Sequence, residues 1–260
     1  MKLPKGWTYT TIGDFSEVCG GIQKGPHREP NANPVRYLTV AHVQRNRVLL
    51  DDPRFFEVSQ SELEHWRLLP LDVLVIEGNG SSDQIGRTAL FKGEIKDCVH
   101  QNHVIRIRTD QRKASPVFLN SFLNSSLGQM VIQAESMSSS GLRTLSVGRL
   151  KEIAILLPPL PEQRKIADIL STWDESLENL DALIAAKERR KKGLMQQLLT
   201  GKRRVRGFSG KWERTTFGAL LRESRNPGSH GLIAHKITVK LYGKGVYAKQ
   251  ERLVGSENTK

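Results

Sequence analysis

The sequence is short of cysteine. Cys19 and Cys98 are the only two in 260 residues, and they lie far apart. Two lone thiols fit a reduced, cytoplasmic setting better than a disulfide. No apolar run approaches about 18 residues, which excludes a membrane-spanning helix. The opening MKLPKGWTYTTIG has no apolar segment of the kind that directs secretion. Acidic residues are the third scarcity: 27 Asp and Glu face 40 Lys and Arg, a net charge of +13.

Catalytic signatures are missing as well. Gly201-Lys202 is followed by Arg203 and lacks the upstream glycine of a GxxxxGK[ST] phosphate loop. Asn33-Pro34 is followed by Val35, so the Asn-Pro-Pro-aromatic motif of amino-methyltransferases is absent. A nuclease-like pattern can be drawn through Asp83, Glu94 and Lys96, but such patterns arise by chance in a charged chain. His100 and His103 sit three apart at the entry to a strand and point to different faces, so no metal site is expected. The reading is of a protein that is not an enzyme and holds no cofactor of its own.

The charge is unevenly placed. Residues 1–160 hold 19 Lys/Arg against 16 Asp/Glu, residues 161–200 hold 7 against 7, and residues 201–260 hold 14 against 4. Such a basic balance suits a polyanionic partner, nucleic acid first, through phosphate contact and counterion release. A solubilising basic tail is the competing explanation.

One stretch dominates the pattern. LPPLPEQRKIADILSTWDESLENLDALIAAKERRKKGLMQQLLTG runs from Leu157 to Gly201. Pro158, Pro159 and Pro161 hold the entry extended, and Pro161 suits a first helical turn. Apolar residues then recur at Ile166, Leu170, Trp173, Leu177, Leu180 and Ile184, the 4-3 spacing of a coiled-coil seam. Lys187 and Lys191 interrupt that seam, and Leu194 and Leu198 restore it. Thr200-Gly201 ends the helix as a glycine cap. A helix of roughly 40 residues is about 60 Å long, the form of a spacer or docking strut. Its Lys187–Lys192 run admits two readings, a solvated complement to the helix dipole or a surface for DNA.

Before the helix the chain reads as predominantly β. Strand-like runs occupy Val35–Val43, Val73–Glu77, Thr88–Lys92, Val104–Arg108 and Ile153–Leu157, separated by Gly, Asn and Asp clusters. One helix is expected over Pro116–Gln133, with Phe118, Phe122, Leu123 and Met130 on a face, and another over Val147–Glu152 capped by Ser146. After the long helix the opening of the chain echoes. GWTYTTIGDFSEV at 6–18 is answered by GKWERTTFGALLR at 210–222, and Leu38-Thr39-Val40 by Ile237-Thr238-Val239. The shared order of Trp, Thr-x-Gly and a Thr-Val strand favours a true repeat over chance.

The join LPPLPEQRKIADIL, the terminal LLTG, the segments Leu71–Glu77, Ile85–Gly93 (IGRTALFKG) and Gln101–Arg108 (QNHVIRIR), and the opening GWTYTTIGDF together resemble the specificity (S) subunit of type I restriction–modification systems. That resemblance implies an α+β fold: a β-rich target-recognition domain (1–160), a long coiled-coil-type helix (161–201), then the start of a second recognition domain (202–260). A full member carries two recognition domains that read a split DNA site and two antiparallel helices that space them. Here one domain, one helix and the start of a second are present, the pattern of a truncated or half-length form. The implied partners are double-stranded DNA, methyltransferase (M) subunits, a motor–nuclease (R) subunit and a second copy paired through the helix. S-adenosylmethionine, ATP and Mg would belong to the partner subunits. The competing reading is an interaction protein that dimerises or competes for M subunits without reading DNA.

Base edges are read by Arg, Asn, Gln, Ser and Thr presented from loops. Candidates are Gln23 and Lys24 in 20–27, Gln44, Arg45, Asn46 and Arg47 in 42–47, Asn79, Ser81, Gln84 and Arg87 in 79–87, and Arg143 in 138–143. The helix-pairing residues are Ile166, Leu170, Trp173, Leu177, Leu180, Ile184, Leu194 and Leu198.

Overall fold

Polar caps and β-branched runs divide the chain into many short elements. The structure, a computed structural model, describes residues 3–78, 84–136, 144–222, 237–239 and 246–248. It comprises two compact units, Met1–Lys187 and Glu188–Lys260. In the first unit β1 (Thr8–Thr11), α1 (Ile12–Phe15) and β2 (Ser16–Cys19) are followed by β3 (Pro34–Leu38), β4 (Val43–Gln44), β5 (Arg47–Val48) and β6 (Arg54–Glu57). Then come α2 (Gln60–Trp66), β7 (Val73–Ile76), β8 (Thr88–Leu90), β9 (Val99–His100) and β10 (Val104–Thr109). Helices α3 (Pro116–Asn124), α4 (Ser126–Glu135) and α5 (Val147–Glu152), β11 (Ala154–Leu157) and α6 (Leu160–Leu198) complete the series, with α6 running across the boundary of the two units.

The central sheet is antiparallel with order β2-β10-β7-β8. Its inner strand β7, VLVI, is buried on both faces. Val73 and Val75 face one core with Ile105 and Ile107 of β10, against Phe118, Leu119, Leu123, Ile132 and Leu150 of the helices. Leu74, Ile76 and Val104 face a second core with Leu38, Val43, Leu68 and Phe91. Two-sided burial explains why this strand has no polar alternation in the sequence. A second sheet, β6-β3-β9, pairs β3 with β9 in parallel and encloses Ile22, Tyr37, Phe56, Val58 and Val99. Strand β1 pairs with β11, so the start of the domain is tied to the segment that enters α6.

Hydroxyl caps set the helix starts. Ser146 accepts the Arg149 N–H at the head of α5, as the sequence led us to expect. Thr11 and Asp14 form a capping box at α1, and the Thr11 hydroxyl holds the Asp14 carboxyl below its ordinary pKa. The expected single helix over Pro116–Gln133 is two helices. Ser125 ends α3 in extended geometry, and its hydroxyl accepts the Gly128 N–H to start α4. Asn124-Ser125-Ser126 is a run of residues that bond their own backbone, which favours caps over helix interiors. Gly128 lets the pair close, since a Cβ there would lie 2.0 Å from the Phe122 carbonyl oxygen. Met130, expected on the shared apolar face, is exposed. The expected strand over Val35–Val43 also breaks. It stops at Leu38, because the Thr39 N–H bonds His42 Nδ1 and turns the chain. Strands β1, β2, β6 and β9 and helix α2 had no counterpart in the sequence reading.

The proline–helix motif has a structural basis. Gln163 is fully buried. Its Oε1 accepts the Ser115 N–H at 2.8 Å, and its Nε2 donates to the carbonyls of Pro158 and Lys113 at 2.8 and 3.3 Å. Gly6, at φ +83°, gives Pro159 room to pack. Ala167 and Ile166 join the first core. The start of α6 is thus packed into the first compact unit, Met1–Lys187.

In the second unit α6 ends at Leu198, and Gly201, at φ +74°, turns the chain as a glycine cap. Helix α7 (Phe217–Leu220) follows Thr216 just as the four-residue α1 follows Thr11, with both threonines extended. Strand β12 (Ile237–Val239) pairs antiparallel with β13 (Val246–Ala248).

Candidate nucleic-acid interface

Polar loops at one edge of the first unit are joined at their bases. Gly21 lies so close to the His100 and Gln101 carbonyls that a Cβ would come within 2.3 Å, so only glycine fits. Ile22 N–H donates to His100 O at 2.8 Å and Asn102 N–H to Ile22 O at 2.9 Å. The segment carrying Gln23 and Lys24 therefore runs beside the turn Gln101–His103, and both side chains are exposed. Behind it, Arg28 pairs with Glu62 at 2.7 Å, and that guanidinium, with the Ser59 cap, holds the Glu62 carboxyl down to about 2. The turn Gln101–His103 in turn meets β7. Glu77 N–H donates to His103 O, and Glu77 O accepts the Leu145 N–H. Thr144 N–H donates to Ser136 O.

The hairpin β4–β5 presents the next group. Asn46 adopts φ 57°, a conformation its short side chain tolerates. Its N–H donates to Thr88 O, and its Oδ1 accepts from Asn120 Nδ2 at 3.0 Å and Asn124 Nδ2 at 2.6 Å. Arg45 donates to Gln129 Oε1 at 2.9 Å, and Gln129 Nε2 donates to Gly86 O. Gln44 bonds the Ala41 carbonyl. Arg47 is exposed.

The candidates thus divide. Gln23, Lys24 and Arg47 present exposed side chains with no hydrogen bond or ion pair among the described residues. Arg45, Asn46 and Gln44 are engaged in holding the hairpin. Arg87 departs furthest from the expectation of a loop reader. It is 5% exposed, and its guanidinium donates to Gln84 Oε1 and Val40 O. Burial lowers its pKa, with Arg45 adding repulsion. Arg87 therefore braces the loops from within, and Gln84, its acceptor, is half-buried. Asn79, Ser81 and Arg143 lie outside the described residues, as does Asp83 of the nuclease-like pattern. Glu94 of that pattern accepts the Lys92 N–H in a local turn.

Three further residues belong to this edge. His103 Nδ1 lies 3.0 Å from Glu77 Oε2, and Asn102 Nδ2 lies 3.3 Å from His103 Nε2. The signal was available as Gln101-Asn102-His103, three base-edge side chains in a row between two strands. His100 is different: it is fully buried, donates from Nδ1 to Val104 O at 2.6 Å, and burial pushes its pKa down to about 4. Cys19 and Cys98 are both free, and burial raises the Cys98 thiol to about 12. Among the described residues no group of His, Cys, Asp and Glu is arranged to hold a metal. No helix among them is long and apolar enough to cross a membrane.

The helix seam is largely open. Ile166 packs on the core, whereas Leu170, Trp173, Leu177, Leu180 and Ile184 are exposed, Trp173 by 69% and Leu177 by 60%. Leu194 and Leu198, in the second unit, are half-buried.

The chain thus combines an α+β domain, with polar loops at one edge, and a long helix whose apolar seam is open. A family model, the type I restriction modification DNA specificity domain, matches residues 4–187, and the chain belongs to that family. The type I restriction enzyme StySPI specificity subunit of Salmonella potsdam is 30% identical over 62% of this chain and 35% of its own length. A Methanocaldococcus jannaschii chain carrying the name of the MjaX type I restriction enzyme specificity subunit is 24% identical over 76% of this chain and 47% of its own. The crystal structure of the HsdS subunit from Thermoanaerobacter tengcongensis matches with a TM-score of 0.53 at 20% identity, over 80% of this chain and 52% of that one. The last shows likeness of fold. This chain spans about half the length of the M. jannaschii relative, and about a third of the Salmonella one.

Proposed function

We propose that this chain is a non-catalytic DNA-recognition subunit of a type I restriction–modification assembly, reading one half of a bipartite site in the cytoplasm. The observation that carries this is the edge itself. Residues 20–25, Glu77, 101–103, Ser136 and 144–145 are tied together by backbone hydrogen bonds, with the β4–β5 hairpin bonded alongside through Thr88. An edge of this kind presents donors and acceptors at fixed spacing, which base readout requires. Gln23, Lys24, Arg47 and Asn102 are the readers we assign, and Asn79, Ser81 and Arg143 remain candidates from sequence. Methylation and ATP-driven cleavage would fall to M and R partners, along with S-adenosylmethionine, ATP and Mg.

The helix supplies the second surface. The apolar stripe from Leu170 to Ile184 has the character of a protein-binding patch. Residues 161–181 carry six acidic side chains against Arg164 and Lys165, and residues 187–192 carry five basic ones against Glu188. A second copy lying antiparallel would set each acidic half against a basic half along one leucine seam. M subunits would dock on the resulting pair. Co-expression with a cognate methyltransferase, followed by mapping of methylated adenines, tests the reading. The expected result is a two-part palindromic site. Stable complexes without sequence-specific methylation would instead support the competitor that binds M subunits and reads no DNA.

A further inference from the structure

The second unit carries a basic feature that the loop edge does not use. From Glu188 to Arg214 ten Lys and Arg face only Glu188 and Glu213. Four of the ten, Arg189 to Lys192, lie inside α6, six or more residues before its end at Leu198. Six more cations follow Gly201, and all are exposed.

These six sit on a closed loop. Gly201 turns at φ +74° and lies directly against the Trp212 indole, where a Cβ would come within 2.3 Å of Nε1. Arg203 N–H donates back to Gln197 O at 3.0 Å, and Phe208 N–H donates to Val205 O across a turn that includes Gly207 at φ +91°. Arg204 braces the loop from within: its guanidinium donates to Gly210 O at 2.6 Å and lies 5.5 Å from the Trp212 ring centroid. Arg204 is thus occupied, while Lys202, Arg203, Arg206, Lys211 and Arg214 have no ion pair among the described residues. A braced ring of unneutralised cations repels itself, so a polyanion at this position relieves a repulsion as well as gaining contacts.

We propose that residues 201–214 form a sequence-independent clamp for the phosphate backbone of duplex DNA. Guanidinium forks and ammonium groups suit phosphate oxygens, and the loop holds them in place before the duplex arrives. The clamp rests on the reading of the chain as a DNA-binding subunit for the identity of its polyanion, and it is separable from that reading. It positions the chain on any duplex, whereas the loop edge selects the site.

The test uses the full chain and a duplex of scrambled sequence, with binding followed by fluorescence anisotropy at several salt concentrations. In the triple variant Lys202→Gln, Arg203→Gln, Arg206→Gln, the slope of log K against log salt should become shallower by about 3, near 0.9 per lost phosphate contact. Affinity for every duplex should fall by one common factor while the methylated sequence stays the same. Trp212→Ala keeps all six cations but removes the brace, and should weaken scrambled-duplex binding about fivefold. An unchanged slope in the triple variant overturns the clamp. So does full affinity in Trp212→Ala, which would leave net charge as the only cause. Loss of M-subunit co-purification with an unchanged slope would make the loop a protein dock and also overturn it. If Arg47→Gln leaves site choice untouched while the slope change appears, the loop-edge reading fails and the clamp stands.

Discussion

The first two turns of α6 differ from the next four in what they touch, although both carry the same kind of residue. From Leu160 to Ala167 the helix is built into the domain: Gln163 satisfies three backbone groups from two other segments, and Ala167 and Ile166 enter the core. From Leu170 to Ile184 leucine, isoleucine and tryptophan stand in solvent. Their spacing is continuous, so periodicity cannot separate the part of the helix that folds the domain from the part left for a partner. The difference lies in a single buried amide, which bonds the segment before α3, and in the core that Ile166 and Ala167 enter.

The largest expected effect breaks the anchored end. Gln163→Ala leaves the Ser115 N–H and two carbonyls without partners, and should lower the unfolding free energy by about 4 kcal/mol, read from urea denaturation. A loss below about 1 kcal/mol would remove Gln163 from its role in anchoring the start of α6. Acid sharpens the same contrast. His100 titrates near 4 in the folded domain against an ordinary 6.5, so the unfolded chain takes up its proton first. The stability it contributes is complete above about pH 6.5 and declines as pH falls toward 4, by up to about 3 kcal/mol. Near-UV dichroism of the domain should therefore fade in that window while far-UV helix signal persists. A His100→Leu variant that stays folded should show a flatter profile.

The loop edge offers a smaller version of the comparison. Arg87 is buried on Val40 and Gln84, and Arg47 is exposed. Arg87→Ala should cost about 2 kcal/mol in a melt, whereas Arg47→Ala should stay within about 0.5 kcal/mol and act on site choice alone. Equal stability losses would dissolve the division between braces and readers. Smallest in stability is Leu177→Asp, within about 0.5 kcal/mol, because the side chain is 60% exposed. Its effect should appear in mass measurements as loss of self-association. Persistent dimers in that variant would end the role of the seam.

Legibility followed the range of the interaction. Ser146 as a cap and Gly201 as a terminator were readable because each acts within four residues. Strand β7 was readable as an apolar run, yet its two cores were not. Arg106 and Arg108, in a segment that reads as an ordinary alternating strand, are occupied internally. Arg106 is buried and donates to Glu17 and to the His65 and Arg67 carbonyls, and Arg108 makes a two-pronged pair with Asp72. The readers suggested by composition were mixed with braces for the same reason. An arginine in a polar loop looks alike in sequence whether it faces DNA or a carbonyl 47 residues away.

By itself the sequence determined the helix, its seam, its ends and the polar loops, since these depend on propensity and period along a few turns. Only the tertiary structure decided which of those loops share an edge, which arginines are already occupied, and where along α6 the domain stops. Those outcomes depend on backbone groups brought together from distant parts of the chain, where a buried donor or acceptor must find a partner and the nearest one takes it.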